Sequence, residues 1–230
     1  VIRLELPRGD DPYAVAGQTL NKWLEEGILA TDSQDGLYVY QEDFECEGKN
    51  YSIRGIICRV KLEEFSKGII LPHEETLSKA KADRFNLMST TYCNFSQVYS
   101  MYIDDEKKIE KEISAIVEKK PTQKFTAKDS IVQKLWIETD KDRIERIVEE
   151  FKGKQLYIAD GHHRYETALN FRNKLIEEGS FKDDDDAGYI MMFLADLSDP
   201  GLVILPTHRL VKDLEAFNVE NALEKISKFF

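Results

Sequence analysis

Four apolar residues, Leu156-Tyr157-Ile158-Ala159, run into Asp160-Gly161 and then directly into an amphipathic stretch that reaches about Glu178. Within that stretch Tyr165, Ala168, Leu169, Leu175 and Ile176 fall on one stripe at helical spacing. The chain must therefore turn from strand to helix within two residues, and a sheet with helices packed on it buries both elements. The first helical turn holds His162, His163 and Arg164. A helix N-terminus is already electropositive, so each cation placed there costs about 0.3–1 kcal/mol. Asp160, expected at the cap, offsets part of this by accepting first-turn N–H groups.

A bound anion suits the remaining donors and the basic cluster, and Gly161 permits its close approach. The spacing is neither GxxxxGK[ST] nor GxGxxG. Two other readings compete. One is a plain solvated first turn; the other is a metal site in which Asp160 and His162, joined by Glu166, place ligands together. A phosphate carrying magnesium satisfies the anion and metal readings at once. If the protein's own carboxylates already match the imidazoles and guanidinium, no guest is required. On the anion reading, Arg164→Ala weakens phosphate binding by about 1.5–3 kcal/mol and leaves the fold intact.

Elsewhere, strand and helix periods mix without strict alternation, which predicts an α+β fold: a mixed sheet with flanking helices. Val1–Leu6 reads as a strand, and Asp10-Asp11-Pro12 opens a helix through Leu29. Leu37–Tyr40 and Tyr51–Val60 read as a hairpin turning at 47–50. A short helical turn (63–67), a helix (76–89) and a strand (95–103) follow. Asp104-Asp105 caps a helix to about Glu118; 122–128 and 131–138 are strands, and Asp140 caps a helix ending near Gly153. Tyr189–Leu194 and Leu202–Leu205 complete the strands. The helical rhythm of Ala222, Leu223, Ile226, Phe229 and Phe230 meets no stop signal, so the chain reads as a piece of a longer protein. Its main domain spans about 37–210, with 211–230 opening a further segment.

Two more constellations carry chemistry. His73 and Glu74 precede the 76–89 helix and form a candidate acid/base or metal-ligand pair. In that helix Leu77, Lys81, Arg84 and Met88 share a stripe, so two cations border apolar residues: a pocket wall facing an anion, or side chains snorkelling over the core. Thr207-His208-Arg209 follows an apolar run at an expected strand end. The Asp183–Asp186 run lacks the alternation of a calcium loop and reads as solvated.

Charge and cysteine narrow the setting. With 43 acidic against 32 basic residues, a net charge of -11 disfavours nucleic acid as a partner. Three cysteines at irregular spacing make neither a disulfide framework nor a zinc site, which points to a reducing cytoplasm. No run approaches the roughly 18 apolar residues of a membrane span.

The blocks Gly68–Thr76, Lys81–Arg84, Tyr157–Thr167 with its DGHHR core, and Pro206–Arg209 closely resemble the domain-of-unknown-function family 1015, from about Leu37 to Leu210. The DGHHR turn also looks like the phosphate-binding turn of the ParB/sulfiredoxin superfamily, which includes free-serine kinases. That resemblance implies a ParB/sulfiredoxin-like strand-turn-helix, with ATP or ADP held with magnesium by Gly161, His162, His163 and Arg164. Asp160 would lie beside the transferred group, and Glu74 is the candidate for the kinase glutamate. The expected function is a nucleotide-dependent phosphotransferase on a small hydroxyl metabolite, with serine favoured by resemblance. His73 or Glu74 takes the hydroxyl proton, and Arg164, Lys81 and Arg84 stabilise the phosphoryl group. A non-catalytic nucleotide switch and a metal-dependent phosphatase are the alternatives.

Overall fold

The computed structural model describes every residue except 77, 183, 184, 207, 209, 211, 213–216 and 230, and for 78–80 the backbone alone. The expectations placed on Leu77, Asp183, Asp184, Thr207, Arg209 and Phe230 lie outside the described residues. Among those described, one eight-stranded mixed sheet is flanked by seven helices, the α+β architecture expected from the sequence.

The middle of the sheet is a long hairpin of β1 (Leu37–Cys46) and β2 (Lys49–Lys61), paired antiparallel. Its loop is only Glu47-Gly48, and both residues have positive φ, 51° and 74°. A two-residue turn of this hand matches the twist of the flanking strands, and glycine at the second position takes it without strain. From β2 the sheet continues through β8 (Tyr189–Asp196, antiparallel), β4 (Val98–Tyr102, parallel to β8), β7 (Leu156–Asp160, antiparallel) and β3 (Ile70–Leu71, parallel). From β1 it continues through β6 (Val132–Glu138) and β5 (Gln123–Thr126), both antiparallel. Ile190, Met192, Phe193, Leu194 and Ala195 of β8 are all buried. That is the covering on both faces which an unbroken apolar run requires.

Two groups of helices cover the sheet. Against β4 and β8 lies α6 (His162–Glu177); α3 (Ser78–Thr91) packs on α6, α2 (Pro12–Glu25) on α3, and α1 (Ile2–Glu5) on α2. The second group is α4 (Lys108–Val117), against β1 and β6, with α5 (Lys141–Phe151) beside it. Ile109, Ile113 and Ile116 of α4 join Val39, Trp136, Ile158, Tyr165 and Met192 in one apolar cluster. Asp11 and Asp140 cap α2 and α5 as their positions predict, accepting from the Ala14 and Arg143 amides. Tyr165 fastens α6 to the loop after β2. Its hydroxyl donates to the Glu63 carbonyl (2.7 Å) and accepts from the Glu63 amide (2.9 Å), while its ring stacks on Phe65.

Two expected strands are absent among the described residues. Val1–Leu6 forms the single turn α1, where only Leu4 is buried while Ile2 and Leu6 face solvent. Leu202–Leu205 is irregular, with Ile204 and Leu205 exposed. Just before it, Gly201 lies so close to β2 that a Cβ would sit 2.0 Å from the Ser52 carbonyl. The segment thus crosses the hairpin as coil instead of adding a ladder. The last described helix, α7 (Val219–Ile226), has no buried residue. Among the described residues no helix is long and apolar enough to cross a membrane.

Candidate functional site at the head of α6

The strand-to-helix switch occurs where the sequence places it. β7 ends at Asp160, Gly161 follows at φ 96°, and α6 starts at His162. That φ lies in the left-handed region where a side chain is strained, and a Cβ would also meet the Arg164 guanidinium at 3.1 Å. The cap itself differs from expectation. Gly161, not Asp160, is the N-cap, so the cap position itself offers no side-chain oxygen to the first turn. Asp160 still belongs to the strand and turns its carboxylate to Arg164 instead, at 2.5 Å.

His162 points inward and is 1% exposed. Its Nε2 accepts the His73 backbone N–H at 3.2 Å. A neutral imidazole has one nitrogen lone pair, so the proton lies on Nδ1. Burial lowers the His162 pKa below the ordinary value, outweighing the opposing pull of Glu74, which keeps the ring neutral near pH 7. Nδ1 stands 3.1 Å from Glu74 Oε1, but off the hydrogen-bond direction, so it is buried with no hydrogen-bond partner. His73 sits edge-on to His162, with ring centroids 4.5 Å apart, and its Nδ1–H donates to the Ile158 carbonyl at 2.7 Å. Backbone groups of β7 and of the segment after β3 thus fix both tautomers. They leave His73 Nε2 and the half-exposed Glu74 carboxylate as the outward-facing groups.

The expected cations converge, but each meets a carboxylate of the protein. Lys81 pairs with Glu166 at 2.8 Å, and Thr76 donates to the same carboxylate. Burial pushes the Glu166 pKa up, yet the hydrogen bonds and charge of Lys81 and Thr76 and the nearby His163 bring it below the ordinary value. Arg84 reaches the Glu5 carbonyl at 3.0 Å, Asp83 at 3.3 Å and the Glu5 carboxylate at 3.9 Å. Arg164 bonds Asp160, Ser96 Oγ and the Gln97 carbonyl. Matched charges of this kind lower the electrostatic demand for a bare anion. They also correct the expectation for Arg164→Ala. The side chain ties the head of α6 to the start of β4, so its loss should destabilise the fold by about 1–3 kcal/mol, the scale of hydrogen bonds from a charged donor. A urea midpoint within error of wild type would show the clamp to be idle.

The metal-ligand grouping joins His162 to the His73-Glu74 pair instead of to Asp160. His73, Glu74 and His162 bring one ligand atom each within 4.8 Å of one another, and Asp160 is outside that group. His208 is exposed.

The family model described as "Protein of unknown function (DUF1015)" matches residues 1–230. The chain belongs to that family. Neither the curated proteins nor the solved structures gave a match. In this DUF1015 chain the sequence gives no warning of Glu5, Ser96 or Gln97. They carry no motif, and only the packing of α1 and the β4 entry loop brings them to the head of α6.

Proposed function

We propose that this DUF1015 chain is a nucleotide-dependent phosphotransferase acting on a small hydroxyl compound. The observation that carries the reading is the Glu74 carboxylate, set beside a buried neutral His162 in the first turn of α6, whose N-cap is a glycine. Helix N-termini bind phosphate through backbone N–H groups. A carboxylate within reach of the same spot can take the proton of an attacking hydroxyl. The resemblance of the DGHHR turn to nucleotide-binding ParB/sulfiredoxin-like turns, free-serine kinases among them, supports the same assignment and favours serine.

Because the cations are already matched, a phosphate ligand fits best when it brings its own divalent ion. The donor set agrees: Asp160 and Glu74 are 74% and 52% exposed, and hard carboxylate oxygens suit magnesium held mainly by nucleotide phosphates. Bound there, magnesium would neutralise charge on the phosphates. Of the chain's own residues, Glu74, which stands beside His162, accepts the hydroxyl proton, and Arg164 and Lys81 face the phosphoryl oxygens once a ligand draws them from their carboxylates.

The grouping of His73, Glu74 and His162 favours a second reading, a metal-dependent phosphatase. It meets a chemical difficulty: to ligate through Nδ1, His162 must give up the His73 N–H bond to Nε2, since the ring cannot lend both lone pairs. The two readings part in one assay. Full-length protein with magnesium and ADP, ATP or pyrophosphate is incubated with serine and related alcohols, and products are followed by phosphorus NMR. A phosphomonoester formed at the expense of the donor is the expected result. Inertness across all three donors sinks the transferase, and stoichiometric zinc or manganese with phosphate release replaces it with the phosphatase.

A further inference from the structure

We propose that the cavity between Arg84 and Arg164 is a subsite for an oxyanion group of the ligand, and that Glu5 stands in for that group in the free protein. The inference rests on the phosphotransferase reading for what the ligand is, though not for whether the subsite exists. Glu5, Arg84, Ser96, Arg164 and Thr167 line the cavity. Arg164 Nη1 donates to Ser96 Oγ, and the Ser96 hydroxyl donates in turn to the Glu5 carboxylate. On the other side the Arg84 guanidinium stands 3.9 Å from that carboxylate, too far for a hydrogen bond, while it bonds the Glu5 carbonyl. A carboxylate thus occupies the space between two guanidinium groups and a hydroxyl without saturating them.

Three further observations point to exchange. Thr167 is 1% exposed and its hydroxyl has no hydrogen-bond partner, an unmet group that an oxyanion in the cavity would satisfy. The cavity is partly open to solvent, so an incoming anion can reach the place that the Glu5 carboxylate holds beside the guanidinium groups. Glu5 is carried on α1, a single turn anchored by one buried side chain, Leu4. The other charges at the cavity are Asp83 on Arg84 and Asp160 on Arg164. Replacing the Glu5 carboxylate by a ligand carboxylate or a monoanionic phosphate therefore leaves the local charge unchanged.

Calorimetric titration of the full-length protein tests this without nucleotide or magnesium, using inorganic phosphate in one arm and acetate in the other at fixed ionic strength. A placeholder lowers apparent affinity by the fraction of molecules it blocks, so Glu5→Gln should tighten binding about tenfold. Glu5→Ala, which leaves no amide for Ser96 to hold, should do the same. Adding Arg84→Gln should cancel the gain. A gain in one arm only assigns the subsite to phosphate or to carboxylate. Affinity unchanged in both Glu5 variants, or a gain that survives Arg84→Gln, overturns the subsite. Absent turnover with the gain intact removes the phosphotransferase and keeps the subsite; turnover without the gain does the reverse.

Discussion

Glu74→Gln should cut phosphoryl transfer by about 10²–10⁴-fold, the usual worth of a general base, while leaving the melting temperature unchanged. The side chain is half exposed, so the fold does not depend on burying it, and surface substitutions of this kind stay within about 0.5 kcal/mol. Glutamine keeps the size and an oxygen near His162 Nδ1, so the local geometry persists and only the proton acceptor is lost. Because magnesium would be held mainly by the nucleotide phosphates and glutamine keeps a carbonyl oxygen, KM for the nucleotide should change far less than kcat. A loss confined to KM would make Glu74 a binding residue. Retention of turnover within a few-fold would take the base role away, leaving His73 Nε2, whose other nitrogen is fixed on the Ile158 carbonyl, as the remaining acceptor at the site. Under the phosphatase reading the same variant would lose stoichiometric metal instead.

Much of the fold was legible because local chemistry and tertiary packing agree. Asp11-Pro12 and Asp140 are cap signals that the structure uses as caps, and the apolar run of β8 is buried on both faces. The two lost strands are short apolar runs whose fate depends on partners far away in sequence, which periodicity does not report. At the site the residue types were readable and the pairings were not. His73, Glu74 and His162 stood out as chemistry-bearing side chains. That the His73 amide rather than its ring would meet His162 follows only from how the segment after β3 lies across β7. Likewise, a cationic first turn predicts an anion, but whether that anion is a ligand or Asp160, Glu166 and Glu5 is a matter of long-range packing.

Gly55→Ala should be the most destabilising single-carbon change near the middle of the sheet, costing about 3 kcal/mol, at the upper end of ordinary overpacking. Gly55 sits in β2 opposite Tyr40 of β1 and Ala195 of β8. A Cβ there would lie 2.3 Å from the Leu194 carbonyl and 2.6 Å from the Phe193 ring. The ring cannot simply swing away, because it packs against Tyr40 and Tyr99. Nor can the carbonyl move alone, since β8 is held between β2 and β4, and β4 pairs in turn with β7. Relief therefore requires β8 to shift as a unit, which drags β4 and with it the strand that delivers Asp160 to the head of α6. Gly153→Ala gives the contrast: nothing lies within 4 Å of its Cβ, and only its positive φ opposes a side chain. That backbone term is about 1–2 kcal/mol, so Gly55→Ala should show the larger drop in urea midpoint at an unchanged slope. If the two variants unfold at the same urea concentration, the close approach of β2 to β8 is not a constraint on this sheet.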